Sequence, residues 1–437
     1  MDEYSAVYLM YVEGDETTNS NKFYRMENNG DGTFKATWGR VGNSGQTKNY
    51  PISQWEKKRR EKIKKGYIEI TEFMEDVIKD SQVAPDTNSS PEDKFSIITV
   101  DSIREVLRRL YSYANHVVQT SYRVSASVVT QAQVDKAQEQ IDFISSNYKD
   151  WDLKKFNSEL KVLFKILPRI MSRVSDYLAT NMEEEHIQKI MTREQDTLDS
   201  MQTMIYKPKH INVEQKVEED SVEKAQILTR NSDIWNDLGF IMGEATLDDI
   251  ELIKKMLGDS KDKFYRAWKV FNTEADNRFC KFCKDHNIKE TALLGHGSRN
   301  SNWFNILSQS LMIRPSNVII QGSLLGNALY FSNPENYHGG TIKSIRYSSL
   351  NGYWSGEYQN CGFIAFFEVA TGKRYDIYNF DSRYHTYTQE KLQRDCPGAW
   401  SLHLHGAGYG GASTVINDEI TVYNPEQATI RYLVEIR

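Results

Sequence analysis

Glycine is absent from residues 67 to 238. So long a run without the residue that supplies positive φ to tight turns argues against turn-rich sheet and for helices packed on one another. The apolar spacing agrees. Ile103, Val106, Leu107, Leu110 and Val117 share one helical stripe, headed by Ser102 and Glu105 at capping-box spacing. Val134, Ala137, Ile141 and Ile144 form the next. Leu160, Leu163, Phe164, Leu167, Ile170, Met171, Val174 and Leu178 follow, with Pro168 as a kink or stop, and then Ile187, Ile190, Met191, Leu198 and Met201. The pattern predicts an all-α bundle over 94–205, of about four to six helices.

The flanks read differently. Residues 1–80 carry the strand-like runs YSAVYLMYV and GTFKATWGRVG around the turn ENNGDG, then the basic helical stretch QWEKKRREKIKKGY, which predicts a small α+β module. Residues 81–93, dense in Ser, Pro, Asn and Asp, read as a linker. From 206 to 437, a polar, acidic connection gives way to short strands such as YRAWKVF, ALYFS, GFIAFFEVA, WSLHLH and DEITVYN, with LDDIELIKKML as an amphipathic helix. This predicts an α+β domain. A chain of 437 residues accommodates such a division, at ~100–200 residues per domain. No stretch nears the ~18 apolar residues of a membrane span, and the acidic start is unlike a signal peptide. Four cysteines are too few for a disulfide scaffold. The expectation is an intracellular protein with no membrane partner, nuclear in a eukaryote or beside the nucleoid in a bacterium.

A net charge of −6 seems to exclude nucleic acid. Counted by segment, however, Lys22–Lys65 holds 12 Lys and Arg against 4 Asp and Glu, or +8, which leaves −14 for the rest. A basic module joined to an acidic body is a candidate nucleic-acid binder.

Three motifs could carry chemistry. Gly406, Gly408 and Gly411 spell G-x-G-x-x-G, but only 26 residues follow, and these read as loop and strand, so a glycine-rich loop without a phosphate role is the better reading. Cys280, Cys283 and His286 lack a partner pair at zinc-finger spacing, and a helix face with two free thiols is expected. LLGHGSRNSNWFNILSQSL is of another kind. An apolar strand end runs into His296 and Gly297, where a ligand can reach backbone N–H and C=O groups, and an amphipathic helix follows. Tyr330 falls on a predicted strand, and Glu419 opens the predicted strand near the end of the chain, a carboxylate among β-branched and aromatic residues.

The order LLGHGSR, LYFS, KSIRY, DEITVY, preceded by an all-α segment and by TWGRVGNSGQTKNYP, resembles the DNA-dependent poly(ADP-ribose) polymerases of the shorter kind. The resemblance implies a WGR DNA-binding module, a helical regulatory domain and a catalytic domain of the ADP-ribosyltransferase fold with mostly antiparallel sheets. It implies a His296, Tyr330, Glu419 catalytic triad. His296 would bond a ribose hydroxyl of NAD, Gly297 the nicotinamide carboxamide. Tyr330 and Tyr347 would flank the ring, with Ser344 on the amide and Lys343 beside it. Ser298, Asn302 and Arg314 are candidate adenosine-side contacts, Glu419 is the catalytic carboxylate, and Trp38 and Arg40 are the expected DNA contacts. NAD is expected as substrate and no metal as cofactor. The expected partners are DNA with 5′-phosphorylated breaks and protein acceptors including the chain itself, with a monomer off DNA.

Two departures bear on the product. The family often has G-K-G-I-Y-F where this chain has Gly326-Asn327-Ala328-Leu329-Tyr330-Phe331, and Met312 stands where an Arg is usual. A mono-ADP-ribosyltransferase and a non-enzymatic DNA-end scaffold are therefore carried as alternatives. The resemblance also implies that DNA binding relieves a block imposed by the helical domain.

Overall fold

The computed structural model describes residues 6–71 apart from 16, 95–122 apart from 97, 130–205, 235, 238–313, 324–332, 361–406 and 418–437. The chain divides into two compact units, the first holding residues 1–88, 114–206 and 317–321 and the second the remainder.

In the first unit, β1 (Ala6–Gly14), β2 (Asn19–Asn28), β3 (Thr33–Arg40) and β4 (Gln46–Pro51) form an antiparallel meander, and β5 (Ile68–Glu69) completes the order β4-β3-β2-β1-β5. Helix α1 (Trp55–Lys64) carries the basic run and buries Trp55 among Leu9, Met26 and Phe34 of the sheet. The next helix, α2 (Asp101–Tyr122), is shared, since residues up to Tyr113 belong to the second unit.

Helix α3 (Gln131–Asn147) starts on a capping box between Thr130 and Gln133. Helix α4 (Leu153–Ile166) is capped by Asp152 and ends just before Pro168, as expected where a following proline disfavours α geometry. With α5 (Glu184–Ile205) they bury Ala137, Ile141, Leu160, Phe164, Ile187 and Leu198 in one core that also takes in Val12 of β1. The stripes on α3, α4 and α5 are thus real, but the part of the third stripe expected beyond Pro168, at Ile170, Met171, Val174 and Leu178, is not α-helical, and the helices do not close on themselves as an independent bundle. Arg169 and Glu194 lie within this unit as a buried ion pair, with side chains 3% and 0% exposed.

In the second unit the strands are β6 (Ile241–Glu244), β7 (Phe264–Phe271), β8 (Thr291–Gly297), β9 (Leu329–Ser332), β10 (Gly362–Ala370), β11 (Lys373–Ile377), β12 (Ala399–Leu404), β13 (Glu419–Val422) and β14 (Ala428–Ile436). They form one sheet in the order β11-β12-β13-β9-β8-β10-β14-β7-β6, antiparallel except for β11 with β12. Helices α6 (Leu247–Leu257), α7 (Thr273–Asp285) and α8 (Trp303–Gln309) accompany it.

The first half of α2 belongs to this unit's core, where Ile103, Val106, Leu107 and Leu110 pack with Trp268, Phe363 and Leu433. The boundary expected at 94 therefore differs from the structure, because this apolar stripe is buried against the large sheet. Ser102 lies inside α2 and donates to Glu244 at 2.7 Å, so the predicted capping box is replaced by a tertiary bond. Among the described residues no helix is long and apolar enough to cross a membrane. The linker at 81–93 lies outside the described residues.

Candidate active site

His296, Tyr330 and Glu419 lie on β8, β9 and β13, three neighbouring strands joined by long-range pairing. Ser332 pairs with Gly295 on one side and with Glu419 on the other, while Tyr330 pairs with Thr421. Because side chains alternate along a strand, Tyr330 and Glu419 share one face of the sheet, with Leu402, Leu404 and Tyr423 nearby on that side.

His296 belongs to the opposite face of its strand. Its ring centroid lies 5.9 Å from Phe331, 6.0 Å from Phe367 and 6.5 Å from Trp303. Nδ1 lies 2.9 Å from the Tyr330 carbonyl oxygen, which links β8 to β9 where their ladder ends. Burial lowers the imidazole pKa below its ordinary value, so the neutral ring prevails near pH 7. With its proton on Nδ1, donated to Tyr330, Nε2 keeps a lone pair for a ligand hydroxyl.

The phenol of Tyr330 is held by a turn. It donates to the Gly326 carbonyl and accepts from the Leu325 N–H, both at 2.7 Å, and burial pushes its pKa far up. Gly326 sits at φ +85°, and a Cβ there would meet the Tyr387 carbonyl oxygen at 2.3 Å. This glycine, retained where Lys and the second Gly of the family pattern are not, is thus required by the fold.

After Gly297, Asn302 Nδ2 donates to Ser298 Oγ at 3.2 Å, and Asn300 Nδ2 donates to the Cys361 carbonyl at 3.0 Å. These bonds fix the loop that leads into α8, whose Trp303 is fully buried. Arg314, Lys343, Ser344 and Tyr347 lie outside the described residues, as do Gly408 and Gly411. Gly406 donates its N–H to Asp418 Oδ1 at 2.7 Å. Just past the end of α7, His286 packs 4.5 Å from both Phe282 and Trp400, and Cys280 and Cys283 on α7 are free thiols.

Sequence reasoning passed over two features. Ser332 stands in the ladder between Gly295 and Glu419 with a fully buried hydroxyl that has no hydrogen-bond partner among the described residues. His403, His405, Asp376 and Asp418 cluster beside the start of β13. The H-x-H alternation in WSLHLH was the available signal for the second.

In the first unit, Trp38 is half-buried and stacks on Tyr24 with centroids 6.1 Å apart. Arg40 is committed to acceptors, the Met171 and Ser172 carbonyls at 2.6 and 3.0 Å and the Asn19 carbonyl and side chain at 3.1 Å. On α1, Lys57, Arg60 and Lys64 are exposed, whereas Lys62 lies 4.1 Å over the Tyr24 ring.

A model of the poly(ADP-ribose) polymerase catalytic domain matches residues 248–400, and a WGR domain model matches residues 6–74. The first interval includes His296 and Tyr330 and stops short of Glu419. The chain is 30% identical over 189 residues to uncharacterized protein 101L of invertebrate iridescent virus 6, covering 43% of this chain and 74% of that one. It is 24% identical over 214 residues to poly [ADP-ribose] polymerase 2 of Zea mays, covering 44% of this chain and 31% of the maize protein. To poly [ADP-ribose] polymerase 2 of Homo sapiens it is 28% identical over 186 residues, covering 38% of this chain and 30% of the human protein. The match thus spans less than a third of either polymerase.

Proposed function

Since the chain belongs to the poly(ADP-ribose) polymerase family, with that family's catalytic domain and a WGR domain, we propose that it cleaves NAD at the nicotinamide–ribose bond and transfers ADP-ribose to protein side chains, its own included, elongating the chain when broken DNA is bound. The observation that supports this reading is that three neighbouring strands, β8, β9 and β13, carry His296, Tyr330 and Glu419 from distant parts of the sequence, Tyr330 and Glu419 on one face and His296 on the other, tied to β9 through the Tyr330 carbonyl.

Cleavage of the glycosidic bond develops positive charge on the ribose, which a nearby carboxylate stabilises. Glu419 serves this role and draws the proton from the acceptor hydroxyl or carboxyl group. His296, neutral and oriented by the Tyr330 carbonyl, offers Nε2 to a ribose hydroxyl. The Gly297 backbone takes the nicotinamide amide, and Tyr330, immobilised by Leu325 and Gly326, forms a wall of the pocket. Ser298 and Asn302, already bonded to each other, border the adenosine side, and Arg314, Lys343, Ser344 and Tyr347 complete the site as the family pattern implies.

The WGR module takes the DNA break, with the exposed basic residues of α1 on phosphates and Trp38 at the end of the duplex. Arg40 then ties that module to the 171–172 backbone, so that DNA contact alters the helices carried there. Helix loosening is the switch. Asn327 and Ala328, in place of Lys and Gly, favour a second reading, transfer of single ADP-ribose units without elongation.

The test is nicotinamide release and product mobility with no DNA, intact duplex, nicked DNA and 5′-phosphorylated ends. Broken DNA should raise the rate and give polymer smears. Glu419→Gln should lower elongation by ~10²–10⁴-fold, the usual worth of general-base help, with NAD binding retained. Unchanged polymer formation by that variant would remove Glu419 from the mechanism, and equal rates on all DNAs would remove the switch.

A further inference from the structure

The residue before Glu419 belongs to a cluster that the transfer chemistry leaves unused. β11 and β12 run parallel with Asp376 opposite His403, and the His405 N–H donates to the Ile377 carbonyl at 2.9 Å, which extends the pairing one residue further. Alternation sends His403 and His405 to the same face, where their rings stack with centroids 3.9 Å apart. Asp376 Oδ1 lies 3.2 Å from His403 Nδ1 and 2.9 Å from His405 Nε2. Behind the rings, His403 Nε2 lies 3.1 Å from Asp418 Oδ2, and the other oxygen of Asp418 accepts the Gly406 N–H. Tyr378 covers the outer face of His405, 4.4 Å away and tilted by 6°.

We propose that Asp376 Oδ1, His403 Nδ1 and His405 Nε2 form a three-ligand site for a divalent transition-metal ion of the zinc class, with Asp418 orienting His403 from behind.

Three features support it. A tetrahedral ion bound at ~2.0–2.1 Å holds its ligands about 3.3–3.4 Å apart, so 2.9 and 3.2 Å require the groups to open by only a few tenths of an ångström. Ligating histidines commonly donate their other ring N–H to a carboxylate, which fixes the tautomer and raises ligand basicity, and Asp418 stands in that position on His403. The histidine side chains are 2% and 0% exposed while that of Asp376 is 45% exposed, so the pocket is closed behind and open at its carboxylate, where an ion enters and a water takes the fourth position.

Charge points the same way. With Asp418 taking the Nε2–H, His403 presents Nδ1 to a second carboxylate, an arrangement that needs either another proton or a cation between them. A divalent ion between them supplies that cation and balances both carboxylates. Two imidazoles with one carboxylate suit zinc and its transition-metal neighbours better than calcium or magnesium, which favour all-oxygen shells. Because Asp418 immediately precedes Glu419 and Leu404 pairs with Glu419, the ion would also pin the strand ends that hold Glu419. That consequence rests on the catalytic reading above; the site does not.

The test uses the full chain, stripped with EDTA, reloaded with one equivalent of Zn2+, desalted and assayed for zinc by mass spectrometry, with a chromophoric chelator to measure affinity. About one zinc per chain should be retained. Asp376→Asn and His405→Gln should each lose it while their circular dichroism stays unchanged, and Asp418→Asn should weaken binding roughly 10- to 100-fold. The double variant Cys280→Ser/Cys283→Ser should keep its zinc. Failure of the parent chain to retain zinc, retention by both Asp376→Asn and His405→Gln, or loss in the cysteine variant would overturn the proposal. None of these outcomes depends on NAD turnover.

Discussion

Gly42, the last residue of the Trp38–Gly42 motif, meets the helix-bearing half of the first unit directly. It sits at φ +93°, and a Cβ there would lie 2.4 Å from Ile170 Cδ1 and 2.5 Å from Cγ1. Gly42→Ala therefore carries two separable penalties. Holding an L-residue at positive φ costs about 1–2 kcal/mol, and forcing a methyl into Ile170 costs about 1–3 kcal/mol. Together they amount to about 2–5 kcal/mol of lost stability. Truncating Ile170 removes the second penalty and leaves the first, because all three atoms that the Cβ would meet belong to the side chain beyond its own Cβ. Gly42→Ala should then cost only about 1–2 kcal/mol in an Ile170→Ala background. The difference is a coupling energy of about 1–3 kcal/mol, within the range found for residues in contact. Urea unfolding of the parent chain, both single variants and the double variant provides the four free energies. Equal costs of Gly42→Ala in the two backgrounds, within about 0.5 kcal/mol, would show that Gly42 and Ile170 do not touch.

Other perturbations have calculable signs. Glu194 takes hydrogen bonds from both Arg169 and Arg193 with its side chain fully buried, so Glu194→Gln should cost about 3–5 kcal/mol in urea unfolding; adding Arg169→Met should recover most of that, and no recovery would argue against a stranded Arg169 charge. In EDTA, Asp376 is held down to about 2 by its bond to His403, so its stabilisation is complete above the ordinary carboxylate range and is lost as pH falls towards that value. His403 is raised: burial opposes its charge, but the flanking carboxylates prevail. Its contribution is complete below ~6.5 and is lost as pH rises through the higher folded value. The melting temperature lost on His403→Gln should thus be larger at pH 5.5 than at pH 9, and a pH-independent loss would refute the charge assignment. Replacing the exposed Arg60 and Lys64 by Gln should reduce the slope of log K against log salt for nicked DNA by roughly 1.8. Trp38→Phe, which keeps a ring against Tyr24, should leave that slope unchanged.

How much could be read before folding depended on how local each cause was. The strand LYFS and the amphipathic LDDIELIKKML follow from apolar spacing, caps and breakers within a few residues, and each appears where the pattern put it, while at Pro168, where the pattern allowed a kink or a stop, the helix stops. The His296, Tyr330 and Glu419 candidates were legible as motifs, yet the motif order says nothing of the ladder through Ser332 that joins their strands, or that Tyr330 orients His296 by its carbonyl instead of its phenol.

Where the local pattern was ambiguous, burial against distant partners resolved it. The stripe on α2 announced a helix with one apolar face but not which surface would cover it, and its first half joined the large sheet, away from the bundle expected there. Arg40 advertised a phosphate contact and found carbonyls 131 and 132 residues along the chain. His403 and His405 read as two polar positions in a strand until a parallel neighbour brought Asp376 beside them and the next strand brought Asp418. Periodicity and capping are properties of a few consecutive residues, so the sequence carries them openly; which carboxylate faces which imidazole depends on strand register, and register exists only once the whole sheet has closed.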